Sequence, residues 1–308
     1  DLSVSWTWVL ADICAAACQA GRPARVHVKI DTGMSRAGST LADLPTLAAA
    51  LKAASDDGLI DVVGAWSHMS RADDPSEAGN ASTASHVRIF EEGLAILADA
   101  GVTPRIRHLS ATSGILWHRE AHYDMVRAGI GLYGLSPDPA VATSEQLGLI
   151  PALELSAPLT SVKVIEEGTP ASYGGTWVAP TRRWIGLVPL GYGDGILRAA
   201  SNRARVVVHT ASGPLEAPLI GRVCMDQFMV DLGPAQASPG TPTARSGDAP
   251  AAPGDIAILF GSGADGEALA DDWAQAAGTI NYEIVTHLGA HIPRIYRDGA
   301  DATFGSNS

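Results

Sequence analysis

The sequence has 308 residues, 46% of them hydrophobic, enough for one large or two ordinary domains with a sizeable core. A formal net charge of −12 argues against nucleic acid and anionic membrane as partners, since both repel an acidic surface, but leaves room for a local arginine pocket holding a small anion. No run reaches the roughly 18 uncharged apolar residues of a membrane-crossing helix and nothing reads as a signal peptide. Cys14, Cys18 and Cys224 form no disulfide framework, which predicts a reducing compartment, the cytoplasm.

In chain order, strand-like runs at 2–6, 26–30, 62–67, 106–109 and 125–130 alternate with helical runs at 9–20, 41–54, 82–99 and 113–118. In the third helix Val87, Phe90, Leu94, Leu97 and Ala98 recur at helical spacing. Cys14 and Cys18, one turn apart in the first, read as small core residues. This alternation predicts an α/β fold, a parallel sheet with crossover helices. Five such units make an open sheet or part of a closed eight-unit barrel. The strand-like start at Leu2 favours a TIM-type barrel with about three units upstream. After Gly148 the texture changes to short β-like runs at 159–165, 184–189, 204–209, 229–232 and 256–260, then a helical run at 271–288. We therefore expect a barrel domain at 1–148 and a mainly β domain at 149–308. Residues 233–254, rich in Pro, Ala, Gly and Ser, predict a flexible insert, and the tail after Arg297 should fray.

Polar clusters sit where the strands end, the place where parallel α/β folds bind ligands. The first is KIDTGMSR at 29–36, in which Arg36 either clamps a carboxylate or pairs with Asp31. His68 follows the next strand, as a site residue or a structural histidine. Thr112 and Ser113 open a short helix, suited to a phosphate or to simple capping. Arg127 lies inside an apolar run, where a charge is costly unless paired or ligand-bound. In the second half, Tyr173 and Tyr192 lie on glycine-rich turns and CMDQ at 224–227 interrupts two apolar runs. His118 and His122 have the i, i+4 spacing of a zinc pair, but the intervening Glu is misplaced and no third ligand is evident, so no metal is expected. The glycines at 191–195 lack the dinucleotide-binding spacing.

In combination KIDTGMSR (29–36), SYGGT (172–176), GYGDG (191–195), GRVCMDQ (221–227) and TINYE (279–283), in this order, resemble the alanine racemase family over nearly the whole chain. The resemblance implies an N-terminal (β/α)8 barrel, a β-rich C-terminal domain, and a head-to-tail homodimer with shared sites. It also implies pyridoxal 5′-phosphate as cofactor and interconversion of L- and D-alanine for the cell wall. Carried over by motif, Arg127 meets the pyridine nitrogen. His68 links it to the catalytic Tyr173, which exchanges the Cα proton on the L side. Thr112 or Ser113, Gly129, Ile130 and Tyr282 hold the phosphate. Arg36 and Met225 bind the substrate, Tyr192 lies with them, and Lys29 matches a lysine often carbamylated to hold Arg36. The family's second base is the lysine that carries the cofactor, on the first barrel strand. Lys29, Lys52 and Lys163 match other positions, so that lysine is not expected here and the chain alone should be inactive. The alternatives are a broader amino-acid racemase on the same scaffold, or a non-catalytic cofactor-binding or scaffold protein.

Overall fold

The computed structural model describes residues 1–236 and 249–297, and the chain divides into two units, Asp1–Leu149 and Ile150–Ser308. The first unit alternates β1 (Leu2–Val4), α1 (Thr7–Ala20), β2 (Ala24–Lys29), α2 (Leu44–Asp56), β3 (Ile60–Trp66), α3 (Glu77–Asp99), β4 (Ile106–His108) and α4 (Thr112–Trp117). The strands pair in parallel in the order β1-β2-β3-β4, which crossover helices make possible. Leu44, Leu47, Ala48, Leu51 and Ala54 form the buried stripe of α2. Gly21 ends α1 in the left-handed region, at φ 64°. The Ser76 Oγ accepts from the Gly79 amide (3.1 Å), so α3 starts well before its apolar periodicity becomes legible at 82.

One face of this sheet packs on the helices. Val26, Val28, Ile30 and Ala65 join Leu47, Leu51, Phe90 and Leu97 in one buried cluster. Side chains alternate along a strand, so the other face receives His27, Lys29, Trp66 and His108. A bulge keeps the alternation in phase: pairing passes from Val26–Val62 to His27–Gly64, which leaves Val63 as the extra residue. Val62 and Ala65 therefore share the helix side although they lie three positions apart. Cys14 packs against the cluster, whereas Cys18 is exposed, because the buried stripe of α1 runs through Leu10, Ile13 and Ala17.

The run 125–130 is not a fifth strand. Residues 125–129 are irregular and Ile130–Tyr133 form a 3-10 helix. The segment lies beside β4, with the Met125 amide on the Arg107 carbonyl (3.3 Å) and the Arg127 amide on the Ser110 carbonyl (3.0 Å). Two such bonds make no ladder, and Gly129 and Gly131 end the extended run.

The second unit holds β5 (Leu155–Pro158), β6 (Ser161–Ile165), β7 (Pro170–Ala171), β8 (Trp177–Val178), β9 (Arg183–Val188), β10 (Arg205–Thr210), β11 (Gly213–Ile220), β12 (Phe228–Pro234) and β13 (Ile256–Phe260). Seven of them form an antiparallel sheet in the order β5-β13-β10-β11-β12-β9-β6, and β7 and β8 form a separate ribbon. Pro214 and Pro218 hide β11 from a sequence reading. They are tolerated because β12 pairs only with Leu219 and Ile220, so the proline-bearing stretch is an edge on that side. The helical run 271–288 is two helices, α5 (Ala270–Ala277) and α6 (Asn281–Thr286), broken where Gly278 turns left-handed at φ 72°. Trp273 anchors α5, edge-on to Phe228 at 6.2 Å and donating Nε1–H to the Leu259 carbonyl. The centre of the 233–254 insert, 237–248, and the tail beyond Arg297 lie outside the described residues.

Candidate active site

The polar face of the first unit is built by register. Lys29 pairs with Trp66 and Trp66 with His108 across β2, β3 and β4. The Lys29 ammonium lies 4.2 Å from the centre of the Trp66 ring, and the His108 imidazole stacks on that ring at 5.7 Å. Arg127 extends the row, its guanidinium 5.0 Å from the same ring. Gly64 makes room beneath, since a Cβ there would sit 2.2 Å from His27 Nδ1.

Arg127 is held by neutral acceptors. Nη1 donates to His108 Nδ1 (2.9 Å) and the His108 carbonyl (3.1 Å). Nη2 donates to the carbonyls of Ser67 (2.8 Å) and Leu109 (3.1 Å) and to His68 Nδ1 (3.3 Å). Among the described residues its Nε–H has no acceptor and no carboxylate pairs with it. Burial lowers its pKa only to about 10, so it stays charged at neutral pH.

A guanidinium can only donate, so the bond directions along the row are forced. His108 Nδ1 is bare, its Nε2–H donates to His27 Nδ1 (2.9 Å), and His27 Nε2–H donates to Asp1 Oδ2 (3.1 Å). His68 likewise keeps its proton on Nε2. Burial and then the Arg127 charge push both His68 and His108 down to about 4, leaving neutral rings. Burial, then Arg36 and Arg127, pull the Lys29 ammonium below its ordinary range.

Arg36 belongs to a loop that leaves β2 and returns, with the Asp31 amide on the Ser39 carbonyl (2.9 Å) and the Ser39 amide on the Lys29 carbonyl (2.8 Å). The alternative pairing of Arg36 with Asp31 does not form. Asp31 Oδ1 accepts instead from the Gly33 (3.0 Å) and Ser35 (3.1 Å) amides, and Arg36 is exposed. Thr112 is the hydroxyl that meets the glycine backbone: its Oγ1 accepts from the amides of Gly129 (3.0 Å) and Gly131 (3.4 Å). His118 and His122 are structural, their Nε2 atoms bonded to the backbone carbonyls of Ala72 and of Gly114 and Ile115.

In the second unit three motifs clasp one another. Ser172, at φ 59°, hydrogen-bonds through Oγ to the Arg222 carbonyl (2.6 Å), and so braces Tyr173 on the turn between β7 and β8. Tyr192 and Gly193 donate their amides to the carbonyls of Cys224 (3.0 Å) and Met225 (2.8 Å). A Cβ at Gly191 would fall 2.2 Å from the Met225 oxygen, so only glycine permits this approach. Asp194 ties the same turn to the segment after α6, accepting from Gly191 N (2.7 Å) and bonded to His291 Nε2 (2.7 Å). Tyr173 (70%), Met225 (56%) and Tyr192 (45%) remain exposed on these braced turns. Tyr282 lies on α6.

Sequence reading missed His27, Trp66, Ser67 and His108. Their signal was only register: alternate positions on neighbouring strands, legible once the strands are paired.

A parallel strand–helix unit with a cationic polar face, followed by an antiparallel β unit, is the architecture of a barrel-and-β-domain enzyme. Residues 1–137 match the family described as alanine racemase, N-terminal domain, and residues 152–296 match alanine racemase, C-terminal domain. The alanine racemase of Beutenbergia cavernae is 45% identical over 302 residues, 98% of this chain and 74% of the relative. That of Salinispora arenicola is 43% identical over 297 residues, 96% and 73% of the two chains. Alanine racemase structures from Streptomyces coelicolor and Streptomyces lavendulae superpose with a TM-score of 0.86 at 42% and 41% identity, covering 96% of this chain and 72% of each neighbour. The chain belongs to the alanine racemase family.

Proposed function

We propose that the chain supplies the cofactor cradle and the L-side proton transfer of an alanine racemase, interconverting L- and D-alanine with pyridoxal 5′-phosphate. Arg127 carries this reading. A half-buried cation with neutral acceptors and an unused Nε–H is costly to keep unless a ligand uses it. The donor set fits the cofactor. Arg127 Nε–H suits a pyridine nitrogen. Thr112 Oγ1 is already loaded by two amides, so its hydroxyl hydrogen is left for a phosphate oxygen. We assign the Gly129 and Ile130 backbone and the Tyr282 phenol to the same phosphate; Thr112, bonded to Gly129, takes precedence over Ser113.

When bound, the cofactor supplies a conjugated ring that acidifies the Cα–H of the amino acid joined to it. Arg127, which stays charged at neutral pH, would donate to the ring nitrogen while keeping its own proton, and would so favour an unprotonated nitrogen and a weaker electron sink. Arg36, free of Asp31, orients the substrate carboxylate. Lys29, whose neutral amine is favoured by burial and then by the Arg36 and Arg127 charges, adds to carbon dioxide, losing a proton to solvent, and the resulting anion steadies Arg36. The Tyr173 phenol oxygen exchanges a proton with the L-alanine Cα. The exposure of Tyr173, Tyr192 and Met225 on braced turns supports delivery to the site of a second copy, in a head-to-tail homodimer. Three free cysteines support a cytoplasmic setting.

The family's D-side base is a lysine that carries the cofactor. Lys52 is paired with Asp56 on α2, Lys163 lies on β6, and Lys29 stands over Trp66. We therefore expect this chain to bind the cofactor without racemising. Titration with pyridoxal 5′-phosphate, followed by L-alanine and chiral detection of D-alanine, tests both statements. Saturable binding weakened about tenfold or more by Arg127→Gln is expected, from loss of a charge-assisted bond, with no D-alanine. Binding indifferent to Arg127→Gln overturns the cradle, and turnover overturns the lysine argument.

A further inference from the structure

A second chain of polar groups lies under the first unit's site, and none of the roles above uses it. His86, 2% exposed on α3, reaches two loops at once. Its Nδ1 meets Thr32 Oγ1 at 2.7 Å, in the loop after β2 that bears Arg36. Its Nε2 meets the Ser70 amide at 3.3 Å and Ser70 Oγ at 3.0 Å, in the loop after β3 that bears His68. Thr32 Oγ1 continues to Ser67 Oγ (2.8 Å), and Ser67 Oγ to the Ile30 carbonyl (2.6 Å). Thr32 and Ser67 are also 2% exposed. The Ser67 carbonyl is in turn an acceptor of Arg127 Nη2 (2.8 Å).

The direction of every bond follows from its two ends. A backbone amide can only donate, so Ser70 N–H requires a bare Nε2 on His86. The neutral ring then carries its proton on Nδ1 and donates it to Thr32. Thr32 passes its hydroxyl proton to Ser67, and Ser67 donates to the Ile30 carbonyl, which can only accept. Both ends demand the same polarity, so the chain is fully satisfied in one arrangement. Burial holds the ring below its ordinary pKa, with Asp31 opposing, and His68 is the other titratable group facing it. A second ring proton would confront the Ser70 N–H with another donor.

We propose that His86 is a positioning residue that locks the Arg36 loop to the His68 loop, and so fixes the carboxylate clamp relative to Arg127 and His68. The functional label of these loops rests on the racemase reading; the lock itself does not. It is therefore tested on the chain without cofactor or substrate, by three variants that cut the link differently. His86→Asn keeps a donor near Nδ1 and loses the Ser70 side. His86→Gln keeps an acceptor near Nε2 and loses the Thr32 side. His86→Phe keeps the ring volume and loses both.

Amide hydrogen exchange reads Gly33 and Ser35 for the Arg36 loop, and Ser67 and Ser70 for the His68 loop. Imidazole nitrogen NMR reads the ring proton. We expect an Nδ1–H ring in the parent chain. Exchange should quicken about tenfold, the equivalent of one lost buried hydrogen bond, at Gly33 and Ser35 in His86→Gln, at Ser70 in His86→Asn, and in both loops in His86→Phe. An Nε2–H ring, or equal quickening of both loops in all three variants, overturns the proposal. If the lock holds while cofactor titration fails, the racemase reading falls and the lock stands.

Discussion

Gly64 shows how one missing side chain permits the row beneath Arg127. A Cβ at this position would meet His27 Nδ1 at 2.2 Å and the Ile106 carbonyl oxygen at 2.8 Å, and backbone cannot step aside. Gly64→Ala should therefore lower stability by about 1–3 kcal/mol through overpacking, and should displace His27 from His108. Urea unfolding measures the first effect, and an unchanged midpoint would contradict it. Nothing around position 64 marks this glycine in the sequence, because the atom it avoids belongs to a residue on another strand. Gly191, which avoids the Met225 carbonyl, was legible as part of a motif, though its contact was not. Ser172 carries the opposite cost, a side chain kept at positive φ by its bond to the Arg222 carbonyl.

Strands β2, β3 and β4 act together through the neutral imidazoles they align. His68 and His108 titrate near 4 in the folded chain, against an ordinary 6.5. Between those values the unfolded chain binds more protons, so their contribution to stability is complete above pH 6.5 and is lost as the pH falls towards 4. The urea midpoint should be level above about pH 6.5 and decline below it. His108→Gln should make that decline shallower by removing one titrating ring. A midpoint independent of pH across this window would show that the rings are not held neutral. Helix α3 begins before the helical run predicted at 82–99, and the strand predicted at 125–130 does not form. A capping serine extends the helix beyond its apolar repeat, and apolar residues beside a sheet do not by themselves form a ladder.

Across the whole molecule, the proposed shared site gives the exposed residues of the second unit a partner surface to meet. Backbone bonds hold Tyr192 and Met225, the Ser172 hydroxyl braces the turn that bears Tyr173, and all three residues remain exposed. We expect the chain to sediment as a dimer at micromolar concentration; a monomer across the concentration range would overturn the shared-site reading.

The sequence by itself determined the two textures and the family, and it marked the candidate site residues Arg36, His68, Thr112, Arg127, Tyr173, Tyr192, Met225 and Tyr282. Arg36, Tyr173, Tyr192, Met225 and Tyr282 lie in short contiguous motifs, whereas His68, Thr112 and Arg127 stand out by their place at a strand end, a helix start and an apolar run. Only the tertiary structure decided how Arg127 is held, which hydroxyl meets the glycine backbone, and which partners His27, Trp66, His86 and His108 meet. Those residues act through partners on other elements: His27 meets His108 across 81 positions and His86 meets Thr32 across 54. Strand register and a single bulge bring His27 to His108, the packing of α3 on the sheet brings His86 to Thr32, and neither leaves a local mark in the residues themselves.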